Sequence, residues 1–413
     1  MSDHPILIIG AGISGLILAQ YLRQLNVPFM IFERDLAIDA RSGGWGLTLH
    51  WSLPALRQLL PKHLVERFPE TFVNKQASAR GDVGRFQFFN LKSGEALYSV
   101  PAAERIRVSR VRLRQLLSEG LEIQWNKNLC NIESSTDTIT AHFEDDTSFA
   151  GKLLVACDGS RSRTREILYP DVRMNQLPVQ LLGVSTLYTA EELGGAGSID
   201  PFIFQGSHPD SNLCVYQVAE VVRDISNTDC FIVLDTPRNF EDSSKDCYNC
   251  QIIVSWADSK GIAVPISNSE RVTLMKQLTE NWSEPFRSLL HRLPQDAEVR
   301  SIRIEDWMFS LGRTHAHPRA VLVGDSAHTM TMFRGEGANN AIVDVLDLVE
   351  HVDMRQPRSF ESVNLSSSLD AYEKDVFARA EPSFLKSRQA CYDAHDFSKI
   401  KPESPLVASR DLR

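Results

Sequence analysis

The sequence predicts an α/β fold in which a parallel sheet packed between helices is interrupted by an inserted antiparallel sheet and closed by a C-terminal helix. Three observations carry that expectation. Residues 6–34 read as strand, glycine turn, helix and strand. Residues 178–303 are dominated by apolar, often β-branched runs separated by turns. A short apolar strand at 319–323 then resumes the first pattern and leads into a helix.

In the first unit, Ile6-Leu7-Ile8-Ile9 suits a strand buried on both faces, residues 16–23 suit a helix, and Phe29-Met30-Ile31-Phe32 a second parallel strand. The turn between them is Gly10-Ala11-Gly12-Ile13-Ser14-Gly15. Gly10 permits the tight turn, Gly12 lets a pyrophosphate meet bare backbone, and Gly15 lets helix and strand pack closely. The helix start at Ile13 and Ser14 offers N–H groups and a partial positive charge to phosphates. Glu33, 18 residues after Gly15, ends the second strand beside Arg34. A carboxylate there accepts hydrogen bonds from both ribose hydroxyls. The unit predicts a dinucleotide ligand and leaves FAD and NAD open.

Length and composition bound the rest. A chain of 413 residues is long enough for two domains or one with an insertion. Its 44 basic and 53 acidic residues give a net charge of −9, which argues against a nucleic-acid surface. No apolar run approaches bilayer length and no basic leader precedes the first strand, so a soluble cytoplasmic protein is the expectation. Seven scattered cysteines favour a reduced compartment over a disulfide framework, and the lone Cys247-x-x-Cys250 has no second pair or nearby histidines to make a metal site.

Along the chain, the glycine-dense run 41–50, with Gly44 and Gly46, suggests backbone passing close to something flat. Residues 52–65 read as a helix broken at Pro61, 72–100 as paired strands, and 110–117 as a helix capped by Ser109. Arginines in that first turn are electrostatically misplaced, which makes Arg110 a candidate partner for an anion. Strands are expected at 121–132 and 139–143 with a turn at Asp145-Asp146, then at 152–157, ending in Asp158-Gly159. Further strands are expected at 182–188, 202–205, 213–222, 230–234 and 251–256, followed by helix over 271–293.

The strand at 319–323 ends in Gly324-Asp325, where a carboxylate can hold a polyol. Gly335, Gly337, Ala338 and Asn339 follow, a backbone on which a flat ring can lie with a helix start at its edge. His328 reads as a residue closing the turn. Residues 369–392 read as a terminal helix broken near Pro382, and the tail from Ser398 as loose.

Together Gly10, Gly12, Gly15 and Glu33, the pair Asp158-Gly159, and Gly324-Asp325 with Ala327-His328 resemble the three motifs of the class A FAD-dependent monooxygenases, the family of p-hydroxybenzoate and salicylate hydroxylases and the tetracycline-inactivating enzymes. Arg110, Gly43 to Leu47, Tyr372, Arg379 and Ser387-Arg388 are similar as well. Met332 stands in place of the family's usual proline, Glu336 lies between the glycines, and Cys157 replaces an alanine before Asp158. Such variants look most like fungal secondary-metabolite monooxygenases.

The resemblance implies a Rossmann-type, glutathione reductase-like FAD-binding domain over residues 1–177 and 304–360. It further implies an inserted antiparallel-sheet substrate domain over 178–303 and a C-terminal helix and tail over 361–413. FAD would be held by Gly10, Gly12, Ile13, Ser14, Gly15, Glu33, Arg34, Gly44, Gly46, Arg110, Asp158, Asp325, Gly335, Gly337, Ala338 and Asn339. NADPH would reduce the flavin, and O2 would yield a C4a-hydroperoxide that oxygenates an electron-rich aromatic, polyketide or terpenoid small molecule. Tyr216 is the candidate catalytic residue in the inserted sheet, with Gln205, His50 and Trp51 as further candidates. No metal or nucleic-acid partner is implied, and oligomeric state is not encoded. A flavin dehydrogenase and a non-enzymatic FAD-binding regulator remain as alternatives.

Overall fold

The computed structural model describes residues 4–40, 46–82, 84–100, 104–200, 202–211, 213–222, 247–312 and 316–409. Its first layer is a five-stranded sheet in the order Ala320–Leu322, Leu153–Ala156, Ile6–Ile9, Phe29–Phe32 and Ile123–Gln124. Every pairing in it is parallel. Ile6–Ile9 is central, with Ile8 level with Val155 on one side and Ile31 on the other. All four of its residues are buried, as a strand covered on both faces requires. The helices Ile13–Gln24, Gly337–His351 and Ser362–Ala394 contribute to the same apolar core.

The second layer is a seven-stranded sheet in the order Val299–Ser301, Val179–Thr189, Cys247–Ala257, Cys214–Val222, Ile203–Ser207, Phe86–Asn90 and Ala96–Val100. It is antiparallel except where Ile203–Ser207 runs parallel to Phe86–Asn90. Two of its strands thus come from residues 86–100, so this sheet is not built from 178–303 alone. Along Cys247–Ala257 the period of two is visible. Cys250, Ile252, Val254 and Trp256 pack under the helices Asn268–Leu278 and Phe286–His291, while Ile253 joins the opposite cluster with Phe333 and the C-terminal segment.

Four local expectations change. Residues 271–293 form two helices, split around Glu284-Pro285. The stretch 72–100 includes a short helix, Lys75–Ala79, before its strands. Ser109 occupies the N-cap of Arg110–Ser118 but makes no side-chain capping bond. The terminal helix runs unbroken over Ser362–Ala394 with Pro382 inside it. An internal proline costs about 3 kcal/mol, and anchors on both sides offset it. Arg379 holds Asp344 and Asp347 at 2.7 Å each, and Arg388 grips Asp306 at 2.6 and 2.8 Å.

The tail is not loose over residues 398–409 either. Ile400, Leu406 and Val407 are buried, and Tyr98 donates its hydroxyl to the Ile400 carbonyl at 3.2 Å. The expected strand at 230–234 and the run 41–45 lie outside the described residues.

Candidate functional site

The glycine turn is built by close packing. Gly10 has φ +103°, and a Cβ on it would stand 2.4 Å from the Cys157 carbonyl oxygen. A Cβ on Gly15 would stand 2.1 Å from the Gly10 oxygen. Gly12 differs, because it has φ −79° and a Cβ there would come no nearer than 3.8 Å to the Cys157 oxygen. The protein itself does not demand glycine at 12. Its bare backbone leaves room for a group to approach from outside. The helix that follows has neither a side-chain cap nor an acid in its first turn, which leaves its positive end for an anion.

Glu33 is buried and oriented. Its Oε2 accepts from the Ala11 N–H at 2.9 Å and lies 3.4 Å from Arg114 Nη2, while Oε1 accepts from the Asp35 N–H at 3.1 Å. Arg114 also donates Nε to the Ala11 carbonyl at 2.8 Å, so it clamps the acid and the glycine turn together. Arg34 reaches across to the Arg161 carbonyl at 3.3 Å.

The two remaining motifs meet this turn. Asp158 Oδ2 accepts from the Thr164 N–H and hydroxyl, each at 3.0 Å, while its buried Oδ1 has no partner among the described residues. Burial pushes the Asp158 carboxyl up, and burial does the same to Asp325, against the pull of His328 and Arg110. Gly324 (φ +68°) lies so near Ser14 that an added Cβ would be 3.0 Å from the Ser14 hydroxyl. Arg165 ties the motifs to each other, donating to the Ser160 carbonyl at 2.5 Å and to the Asp325 and Ser326 carbonyls at 3.4 Å each.

Gly10, Gly12, Glu33, Arg34, Arg110, Asp158 and Asp325 therefore line one cleft of about 360 Å³. Lys127, Asn128 and Glu144 close its Glu33 end. The residues fit a dinucleotide coenzyme. Bare backbone at Gly12 and the helix start suit phosphates, Arg110 adds a cation, and Glu33, Asp158 and Asp325 are acceptors for hydroxyls.

The other expected positions fall elsewhere. Ile13, Ser14 and Gly15 form the helix start behind the cleft. Gly337 borders it, since a Cβ there would be 3.6 Å from Asp325 Oδ1, and Gly335 faces open space with φ +66°. Ala338 follows in the helix start. The Asn339 side chain is committed to protein. Its Oδ1 accepts from the His50 N–H at 3.0 Å and Ser52 hydroxyl at 2.8 Å, and its Nδ2 donates to the Thr48 carbonyl at 2.9 Å. The Gly46 N–H donates to Gln251 Oε1 at 3.0 Å, linking that strand to the second sheet.

Trp51 and His50 stand edge to face at 5.9 Å. Tyr216 lies in register between Gln205 and Ile253, and its side chain lies outside the described residues, as does Gly44. Gln205 is buried, donates to the Phe333 carbonyl at 3.4 Å, and keeps Oε1 without a partner among the described residues.

Sequence reasoning missed Arg114, Arg165 and Asp344. Arg114 had a signal, one helical turn after Arg110 on the same face. Asp344, inside an otherwise apolar helix, had one as well.

Comparison with known proteins agrees with this geometry. Residues 3–375 match the family model described as FAD binding domain. A relative from Arthroderma benhamiae, called "Probable FAD-dependent monooxygenase", is 42% identical over 428 residues, covering 98% of this chain and 95% of the relative. The FAD-dependent monooxygenase dbaB of Emericella nidulans is 36% identical over 357 residues, covering 84% and 86%. The crystal structure of Klebsiella pneumoniae HpxO complexed with FAD and uric acid superposes with a TM-score of 0.72 at 20% identity, covering 97% of this chain and 91% of that one, a likeness of fold.

Proposed function

From the premise that this chain belongs to the FAD binding domain family and is an FAD-dependent monooxygenase, we propose that it takes electrons from NAD(P)H and places one atom of O2 on an electron-rich small molecule of secondary metabolism. The observation that carries the reading is the convergence of Gly12, Glu33, Asp158 and Asp325, from three distant stretches, on one cleft. Bound there, FAD supplies hydride acceptance and oxygen activation that no side chain can.

The chain's own residues would do the rest. Gly12 and the helix start would seat the pyrophosphate, with Arg110 opposing its charge. Glu33, held by Ala11 and Arg114, would orient the ribose, and Asp325 the ribityl chain. The helix start at Gly337 would place positive potential beside the ring. The substrate would lie against the face of the seven-stranded sheet that carries Gln205, whose buried carbonyl, without a partner among the described residues, suits a hydroxyl donor, and Tyr216 would orient that hydroxyl or relay its proton. Packing around that space would exclude water. A cytoplasmic location is part of this proposal; separately, among the described residues no helix is long and apolar enough to cross a membrane.

Purified protein loaded with FAD and screened with NADPH and 18O2 against phenolic, polyketide and terpenoid compounds tests the proposal. Label in the product supports it. Substrate oxidation without label would assign a dehydrogenase instead.

A further inference from the structure

We propose that Arg334 is a positioning residue through which the C-terminal segment 400–409 holds the turn 332–337 in shape beside the FAD cleft. The inference rests on the FAD reading above. It starts from a departure: Met332 stands in place of the proline in the family's turn and Glu336 lies between its glycines, so another contact must make that turn rigid.

Arg334 and Glu336 are both 4% exposed. The guanidinium Nε lies 2.9 Å from Glu336 Oε2 and Nη2 3.3 Å from Oε1, a two-pronged pairing. The same guanidinium donates Nη1 to the Pro405 carbonyl and Nη2 to the Ser409 carbonyl. One cation is thus shared between turn and tail. A buried ion pair is favourable only when its remaining donors are satisfied, and here the tail carbonyls satisfy them.

Each end of this linkage is anchored. Leu406, Val407 and Ile400 pack in one cluster with Phe333 of the turn and with Phe86, Phe88 and Ile253 of the sheet, and Ser404 bonds Asp393 in the terminal helix. On the other side, the Glu336 carbonyl accepts from the Asn340 N–H at 3.0 Å, and Gly337 follows, with Asp325 Oδ1 3.6 Å from the place of its Cβ. The tail, Arg334, Glu336 and the helix start bordering the cleft therefore form one continuous path. A tail that came away would open the turn to water.

The test needs no substrate. Full-length protein, Arg334→Lys and a chain ending at Lys399 are loaded with FAD, and quenching of the bound flavin's fluorescence by iodide is measured beside FAD stoichiometry and melting temperature. The lysine keeps the charge facing Glu336 but cannot reach two tail carbonyls as a fork does. The inference expects FAD still bound one per chain and a quenching constant raised about threefold in both variants, because water and iodide then reach the ring. Should the truncated chain fail to fold, Arg334→Lys decides alone.

Wild-type quenching in flavin-loaded variants overturns this inference and leaves the function standing. A wild-type protein that takes up no FAD overturns both.

Discussion

The imidazole Nε2 of His328 lies 2.7 Å from Oδ2 of Asp344, with both side chains fully buried. That oxygen also accepts from the Gly324 N–H at 2.7 Å, and Oδ1 takes Arg379 at 2.7 Å. Burial works against the carboxylate, but His328 and Arg379 outweigh it and hold its pKa at about 2. Asp344 thus fixes the turn that presents Asp325. Asp344→Asn should destabilise the fold by ~3–5 kcal/mol, because Arg379 loses a buried counter-charge and His328 and the Gly324 N–H lose a carboxylate partner. A melting temperature equal to the wild type's would refute this role.

The two glycines of the first turn should respond in opposite ways. Gly15→Ala meets the Gly10 oxygen at 2.1 Å and should yield protein that is insoluble or melts far lower. Gly12→Ala has room in the protein but puts a poor capping residue at the helix start, so it should cost only about 0.5–1 kcal/mol of stability, while FAD affinity falls by ~10-fold or more as the methyl displaces the pyrophosphate. Titration of the apoprotein with FAD, followed at the flavin band, measures it, and undiminished affinity would remove Gly12 from the phosphate site.

His395 sets a limit at low pH. Its Nδ1 lies 2.6 Å from the Cys391 carbonyl and Nε2 2.9 Å from the Ser255 hydroxyl, and burial pushes its pKa from 6.5 down to about 4. The folded protein resists protonation that the unfolded chain accepts. Stability from this residue is therefore full above 6.5, falls as pH drops toward 4, and levels off below, by at most about 3 kcal/mol. His395→Gln should flatten the melting temperature over that range, and an unchanged slope would show that His395 is not its source.

Tyr216 tests the substrate face. Once a substrate is in hand, Tyr216→Phe should lower oxygenated product per NADPH consumed by about 10-fold or more, in line with loss of a positioned proton-transfer group. An unaltered coupling ratio would leave the tyrosine a packing role only.

What the sequence made legible was local. Residues 6–34 encode strand, turn, helix and acid within one stretch, so spacing alone places Gly10, Gly15 and Glu33. Arg165 and Arg334 were illegible because their partners, at Asp325 and at Pro405, are set by tertiary contact. The same holds for Pro382, which stays helical because Arg379 and Arg388 are anchored on either side of it. The tail read as loose from its place at the end of the sequence, and buried Leu406 and Val407 answer that with tertiary contacts that position does not record.

The order of strands in the parallel sheet bears on how the molecule is made. Ile6–Ile9 leaves the ribosome first, yet its neighbour Leu153–Ala156 pairs in turn with Ala320–Leu322. The sheet edge of Leu153–Ala156 stays open while the intervening residues are synthesised, at roughly 5–20 residues per second. For that interval an apolar, unpaired backbone is exposed to other nascent chains, so soluble yield in a heterologous host should depend on chaperone supply and on slow, cool expression.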